Sequence, residues 1–271
     1  MFYASLNDDG TLTPTGPVHY PLVWEPEGVL GTDLSNLMLH INDIIENGFF
    51  PIVDLFLANF ETVSEDGLRI FLSSWSTALA GNRVIWNPCW EYNQIGTPGW
   101  GQRGTDPALP TYRVIASDFN RVTAMIRKVK DELGIRNILL GSYPFLFSLD
   151  SWDYTHYGDR VYEDWLPGMR MADVLGVSSY NEKIDKAWNE AKRLYDWINQ
   201  PEKTFLFFEY ANDYPRTGNV VTAEFVNDSY AKIPGYSFVK AIVWWHGTSF
   251  TPETIEAIGI NAAQYEGYTP L

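Results

Sequence analysis

The chain has a single cysteine, Cys89, so no intrachain disulfide can form and the fold rests on a packed core. Basic residues are scarce: 19 Lys and Arg stand against 34 Asp and Glu, a formal net charge of -15. A surface this acidic repels a polyanion, so nucleic acid is excluded as an expected partner. No apolar run approaches the ~20 residues that span a bilayer, so no membrane span is expected. The opening MFYASLNDDG lacks a basic stretch followed by an apolar one. A signal peptide is therefore not expected within this chain, and one removed earlier would suit an expected extracellular location. No internal repeat, P-loop or G-x-S-x-G elbow occurs. No Gly-rich turn follows the first apolar run, which argues against a dinucleotide fold. His19, His40, His156 and His246 are scattered, without His-Glu-x-x-His or Cys/His spacing, so neither metal nor cofactor is expected.

Aromatics, in contrast, are abundant. The 271 residues hold 11 Trp and 16 Tyr, whose flat apolar faces and polar tips suit both a large core and the stacking of sugar rings. The length matches one (β/α)8 barrel, typically about 250 residues.

Eight short apolar or β-branched runs read as strands: 2–5, 20–24, 50–57, 83–90, 137–143, 173–180, 204–209 and 240–246. Helical stripes separate most of them. Leu34, Leu37, Met38, Ile41, Ile44 and Ile45 recur at helical spacing, with Thr32 or Asp33 as cap and Gly48 as stop. Leu68, Phe71, Leu72, Trp75 and Leu79 form a second stripe, and Ile115, Phe119, Val122, Ile126, Val129 and Leu133 a third that ends at Gly134. Another runs from Ile184 to Ile198 and stops at Pro201, and Thr251-Pro252 opens a last helix. Strands alternating with helices predict parallel pairing. Eight such units predict a single α/β domain over 1–271, a (β/α)8 TIM barrel. Residues 6–19, rich in Asp, Thr, Pro and Gly, predict a degenerate first crossover. The Gly- and Pro-rich stretch from Tyr92 to about Thr111, with Trp100 in it, falls where such barrels carry their sites, at the carboxyl ends of the strands.

Two glutamates end predicted strands there. Glu91 follows the fourth (VIWNPCWEYN) and Glu209 ends the seventh (TFLFFEY). Strict alternation would put Phe205, Phe207 and Glu209 on one face of their strand, and Ile85, Asn87, Cys89 and Glu91 on one face of theirs. A carboxyl at the end of a buried strand is costly unless paired or hydrogen-bonded. Two of them facing one pocket are what glycosidic hydrolysis needs. His246, ending the eighth run, is expected to line the same pocket.

These residues resemble glycoside hydrolase family 26, the family of β-mannanases and some β-1,3-1,4-glucanases. Asn87-Pro88-Cys89-Trp90-Glu91-Tyr92-Asn93, with Trp100-Gly101 downstream, resembles its acid/base motif. The run 137–144, ending Ser142-Tyr143-Pro144, resembles its fifth strand, and Leu166-Pro167-Gly168 with 172–180 resembles its Tyr-Pro-Gly-Asp and following strand. Lys203 through Glu209 resembles the nucleophile strand, Val243-Trp244-Trp245 the last strand, and Pro21-Leu22-Val23-Trp24-Glu25-Pro26 the second. The resemblance implies a retaining, endo-acting enzyme on mannan or mixed-linkage β-glucan, without a cofactor, and expected to be monomeric. It implies Glu91 as acid/base, Glu209 as nucleophile, Tyr180 orienting Glu209, Trp245 (or Trp244, if the register slips) as sugar floor, and Trp90, Asn93 and Trp100 in the binding cleft. The chain departs from the motif at two places: Trp90 stands where the family has His, and Asn87 where it has Arg. A catalytically silent barrel that binds glycan is the rival expectation.

Overall fold

The computed structural model describes residues 4–6, 12–14, 18–22, 31–46, 48, 50–57, 63–89, 91–93, 110–150, 152–180, 183–212, 221–244 and 250–264. Side chains are described from residue 37 onward, except 40, 55–57, 110–115, 152–153 and 262–264.

The chain opens with β1 (Ala4–Leu6) and β2 (Leu12–Pro14), paired antiparallel. The first predicted strand therefore belongs to a hairpin and not to the main sheet. A parallel crossover takes a dozen or more residues, usually a helix. The stretch between Leu6 and Val18 leaves no room for one, which is the expected degeneracy of the first unit.

Seven parallel strands follow in sequence order. They are β3 (Val18–Leu22), β4 (Ile52–Leu57), β5 (Val84–Asn87), β6 (Ile138–Ser142), β7 (Val174–Tyr180), β8 (Thr204–Ala211) and β9 (Val239–Trp244). Between and after them run α1 (Gly31–Glu46), α2 (Glu65–Ala78), α3 (Pro110–Leu133), the short α4 (Trp152–Tyr157), α5 (Arg160–Glu163) and α6 (Leu166–Met169), then α7 (Ile184–Ile198), α8 (Ala223–Tyr230) and α9 (Pro252–Gln264).

Local chemistry sets these bounds. Ser64 caps α2 by accepting from the Gly67 N–H at 3.1 Å, and Thr222 caps α8 by accepting from Phe225 at the same distance. Gly134 ends α3 at φ +68, a left-handed conformation that costs glycine little. Helix α7 stops at Asn199 (φ 53), two residues before the expected Pro201. Below the barrel, the Asp173 carboxylate accepts from the Leu140 N–H at 2.8 Å and from Lys130, fastening β6 and α3 to the start of β7.

Two apolar clusters form. The larger lies between strands and helices and holds Phe71, Trp75 and Trp86, then Tyr92, Phe119 and Trp165, then Trp188, Phe207 and Tyr210. The smaller draws Ile52 from β4, Ile85 from β5, Tyr143 from beyond β6, Val174 from β7, Leu206 and Phe208 from β8, and Val243 from β9. In a flat sheet β4 and β8 would stand four strand spacings apart, at about 4.8 Å each. The Tyr143 hydroxyl lies within hydrogen-bond distance of Asp54 on β4 and of Glu209 on β8, which requires the sheet to curl round a common interior. Seven curled parallel strands with helices outside, led by a hairpin in place of a first strand–helix unit, give a (β/α)8 TIM-barrel architecture.

Much of the aromatic load goes into this frame. Trp75, Trp86, Trp165 and Trp188 are among the largest fully buried side chains. Among the described residues, no helix is long and apolar enough to cross a membrane.

Candidate active site

The site is built strand by strand at the carboxyl ends. Asp54 on β4 is paired in register with Asn87, the last residue of β5. Both side chains point into the barrel, and the Asn87 Nδ2 donates to Asp54 Oδ1 at 2.6 Å. The next strand over must leave room for that amide. A Cβ on Gly141 of β6 would lie 1.9 Å from Asn87 Oδ1, so glycine is required.

Beyond β6, Tyr143 turns inward and stacks on Phe208, ring centroids 4.6 Å apart at 14°. Its hydroxyl reaches two carboxyls: Asp54 Oδ2 at 2.7 Å and Glu209 Oε1 at 3.0 Å. β4 and β8 are four strands apart, yet one oxygen touches acids from both. Tyr180, ending β7, donates its hydroxyl to the other oxygen of Glu209.

Glu209 faces the interior because β8 is bulged. Val177 pairs with Phe207, but the next residue of β7, Ser178, pairs with Glu209, leaving Phe208 as an extra residue. Strict alternation predicted one face for Phe205, Phe207 and Glu209. Phe205 and Phe207 instead pack in the outer layer, Phe208 packs in the interior, and the bulge turns Glu209 inward.

Glu91 is placed by a turn. Strand β5 ends at Asn87, before the expected Trp90, and Cys89 falls in the outer cluster. Glu91 itself adopts φ 46, in the left-handed region. For a residue with a Cβ this costs of order 1–2 kcal/mol, so its neighbours must hold it. Its own N–H donates to the Tyr143 carbonyl at 3.1 Å. The Tyr92 ring packs on Phe119 and Trp165, at 4.1 and 4.9 Å, and its hydroxyl meets Ser142 Oγ at 3.0 Å. Asn93, 2 % exposed, accepts from the Phe145 N–H at 2.7 Å and donates to the Phe145 and Val161 carbonyls.

The two glutamates have opposite surroundings. Glu209 has two phenolic donors, one on each oxygen. Glu91 is 6 % exposed, and its Oε1 has no hydrogen-bond partner. Burial first, then the Glu209 charge, push the Glu91 carboxyl well above the usual carboxylate range; the Ser178 hydroxyl pulls it down and Asp54 pushes it up. Tyr143 and Tyr180 are held well above their ordinary range by burial and by the acids around them, so both remain donors. Burial raises Asp54 to about 7, against the bonds from Tyr143 and Asn87 that lower it. The Cys89 thiol is likewise pushed up by burial and then by Asp54.

The structure thus brings together Glu91, Glu209 and Tyr180. Asn93 fastens the turn that carries Glu91, its amide occupied by backbone groups. Trp244 packs outward on Tyr210, Phe225 and Tyr230, with centroids 5.5 to 6.0 Å away, because Val243 before it takes the interior position. Its placement rules out the sugar-floor role that a slipped register would have given it. Trp90, Trp100, Trp245 and His246 lie outside the described residues. Sequence reasoning missed Asp54 as a site residue, although an acid inside the apolar run Ile52–Leu57 was a visible signal. It also gave Tyr143 no role of its own.

No protein-family profile matches the chain, and no curated protein does. Solved structures do. A Bacillus subtilis mannanase superposes with a TM-score of 0.53 at 17% identity, over 91% of this chain and 76% of that one. A β-mannanase of glycoside hydrolase family 26 from Bacteroides ovatus gives 0.52 at 14%, over 92% and 78%. An endo-β-1,4-mannanase from Cellulomonas fimi gives 0.56 at 16%, over 93% and 64%. The chain shares the fold of these enzymes.

Proposed function

We propose that the chain is a retaining, endo-acting β-glycanase, a single-domain relative of the family 26 enzymes. Mannan is its first candidate substrate and mixed-linkage β-glucan its second. The observation that carries this is the contrast between the two buried glutamates: one anchored by two phenols, the other with one oxygen unpartnered and its carboxyl held well above the usual range by burial. Carboxyls whose environments differ in this way divide into acid and base or nucleophile.

In the first step the Glu209 carboxylate attacks the anomeric carbon while the glycosidic C–O bond breaks. Glu91 gives its proton to the departing oxygen. In the second, the Glu91 carboxylate takes a proton from water, whose oxygen attacks the anomeric carbon and releases Glu209. Tyr180 fixes the direction in which Glu209 points. Proton donation by a positioned acid contributes roughly 10²–10⁴-fold.

The mannanase activity of the structural neighbours supports mannan. Trp245 is proposed as the sugar floor. Trp90, Trp100 and His246 complete the proposed cleft. The enzyme is proposed to act outside the cell and as a monomer.

Reducing-sugar release from a panel of mannans, β-glucans, xylan and cellulose tests this. Turnover on mannan or mixed-linkage glucan is expected. Binding without turnover on every member would overturn the enzyme in favour of a silent glycan-binding barrel.

A further inference from the structure

We propose that Asp54 is a positioning acid: its carboxyl carries a proton and donates it to the Tyr143 oxygen, which turns Tyr143's own proton onto Glu209. This rests on Glu209 being the nucleophile. The argument is a proton count. A phenol has one hydrogen, yet Tyr143 Oη lies at 2.7 Å from Asp54 Oδ2 and 3.0 Å from Glu209 Oε1. One of those contacts needs a proton from a carboxyl. Glu209 already receives the Tyr180 hydroxyl on its other oxygen, an arrangement suited to an anion. The additional proton therefore belongs to Asp54. Its remaining oxygen, Oδ1, accepts from Asn87 and stays an acceptor in the neutral acid.

The surroundings agree. Asp54 is fully buried. Around it stand Asn87 and Cys89 from the β5 side, Glu91 from the turn, Tyr143 from beyond β6, Tyr180 from β7 and Glu209 from β8. On β3, His19 is its register partner. Burial is what raises the Asp54 carboxyl to about 7, and with Glu209 already ionised an Asp54 carboxylate would be a second buried negative charge in the site.

The consequence is a control on the nucleophile. When Asp54 ionises, the single Tyr143 proton is contested by two anions, and Glu209 loses a donor for part of the time. Activity falls as pH rises through the Asp54 titration. Asparagine imitates the neutral acid, because its oxygen can accept from Asn87 while its NH2 donates to Tyr143, and it cannot ionise.

The test compares wild type, Asp54→Asn, Tyr143→Phe and Glu209→Ala on 4-nitrophenyl β-mannobioside and 4-nitrophenyl β-cellobioside across pH. The wild-type alkaline limb is expected near 7. Asp54→Asn should lower the rate by less than about tenfold and move that limb upward by at least about one pH unit. Tyr143→Phe should cost roughly 10–100-fold, the worth of a hydrogen bond to a charged group. A purely structural role would lower rates without moving the limb. A limb that stays in place in Asp54→Asn assigns it to Glu91 and overturns the proposal. Infrared spectra of protein with 13C-labelled aspartate give a readout independent of turnover. A carboxylic C=O band at about pH 6, lost by about pH 8 and missing from Asp54→Asn, is expected. An ionised Asp54 at about pH 6 would overturn the proposal even if all variants were inactive. Full activity in Glu209→Ala would sink the nucleophile assignment separately, leaving the infrared band to decide the protonation of Asp54.

Discussion

Replacing Asp54 by Asn should change how stability depends on pH, by an amount the structure sets. In the folded chain Asp54 holds its proton up to about 7, against an ordinary value of 3.8. Between those values the folded chain binds a proton that the unfolded chain has released. Stability therefore falls as pH rises through this window, and the loss is complete above the folded value. About three pH units at 1.36 kcal/mol each make roughly 4 kcal/mol, a large fraction of a typical 5–15 kcal/mol domain stability. Asparagine keeps the two bonds of the neutral acid and has nothing to ionise. Urea unfolding of both proteins at several pH values from about 4 to about 8 measures the difference. Glu91, raised in both proteins, largely cancels on subtraction. The two should be of similar stability near the acid end, and the variant should become more stable by up to about 4 kcal/mol at the alkaline end. A difference that stays constant across the range would mean that Asp54 is charged throughout, and the reasoning about its burial would be refuted.

Further outcomes follow from the site. Glu91→Ala should still form the glycosyl-enzyme from an aryl glycoside, whose leaving group needs no acid, then stall at deglycosylation; azide should relieve the stall in a burst-phase assay. Trp244→Ala should lower the unfolding midpoint, with a cost of about 3–5 kcal/mol for losing a core aromatic, while Trp245→Ala should lower kcat/KM on oligosaccharides without that loss. Gly141→Ala puts a methyl 1.9 Å from Asn87 Oδ1. Overpacking of this kind costs typically 1–3 kcal/mol. It should also shift the alkaline limb, because Asn87 holds Asp54.

The sequence carried the order of the fold because strands β3 to β9 and the longer helices α1, α2, α3, α7 and α9 are locally encoded by apolar stripes at helical spacing, with Gly134 as a stop; the short α4, α5, α6 and α8 left no such stripe. It misplaced the first strand because a run of residues 2–5 reads alike in a hairpin and in a barrel, and only the short connection decides. It placed Glu91 just after β5 and Glu209 on β8, but gave Glu209 the wrong company there. The bulge at Phe208 arises from pairing with both neighbouring strands, and no period within one strand announces it. Tyr180 was legible through resemblance, Asp54 hardly at all. An aspartate inside an apolar strand gains its partners only when the sheet curls and brings β4 within reach of β8. The aromatic count pointed to sugar stacking, yet several tryptophans fill the layer between strands and helices.

The central claim is that Glu209 attacks the anomeric carbon and Glu91 supplies the proton. The most direct measurement is covalent trapping with an activated 2-deoxy-2-fluoro mannoside or glucoside, followed by peptide mass spectrometry. The account predicts stoichiometric label on Glu209, within the peptide spanning Thr204–Ala211, and slow return of activity as the label is released. Label on Glu91 instead, or turnover with inverted anomeric configuration and no trapped intermediate, would contradict it.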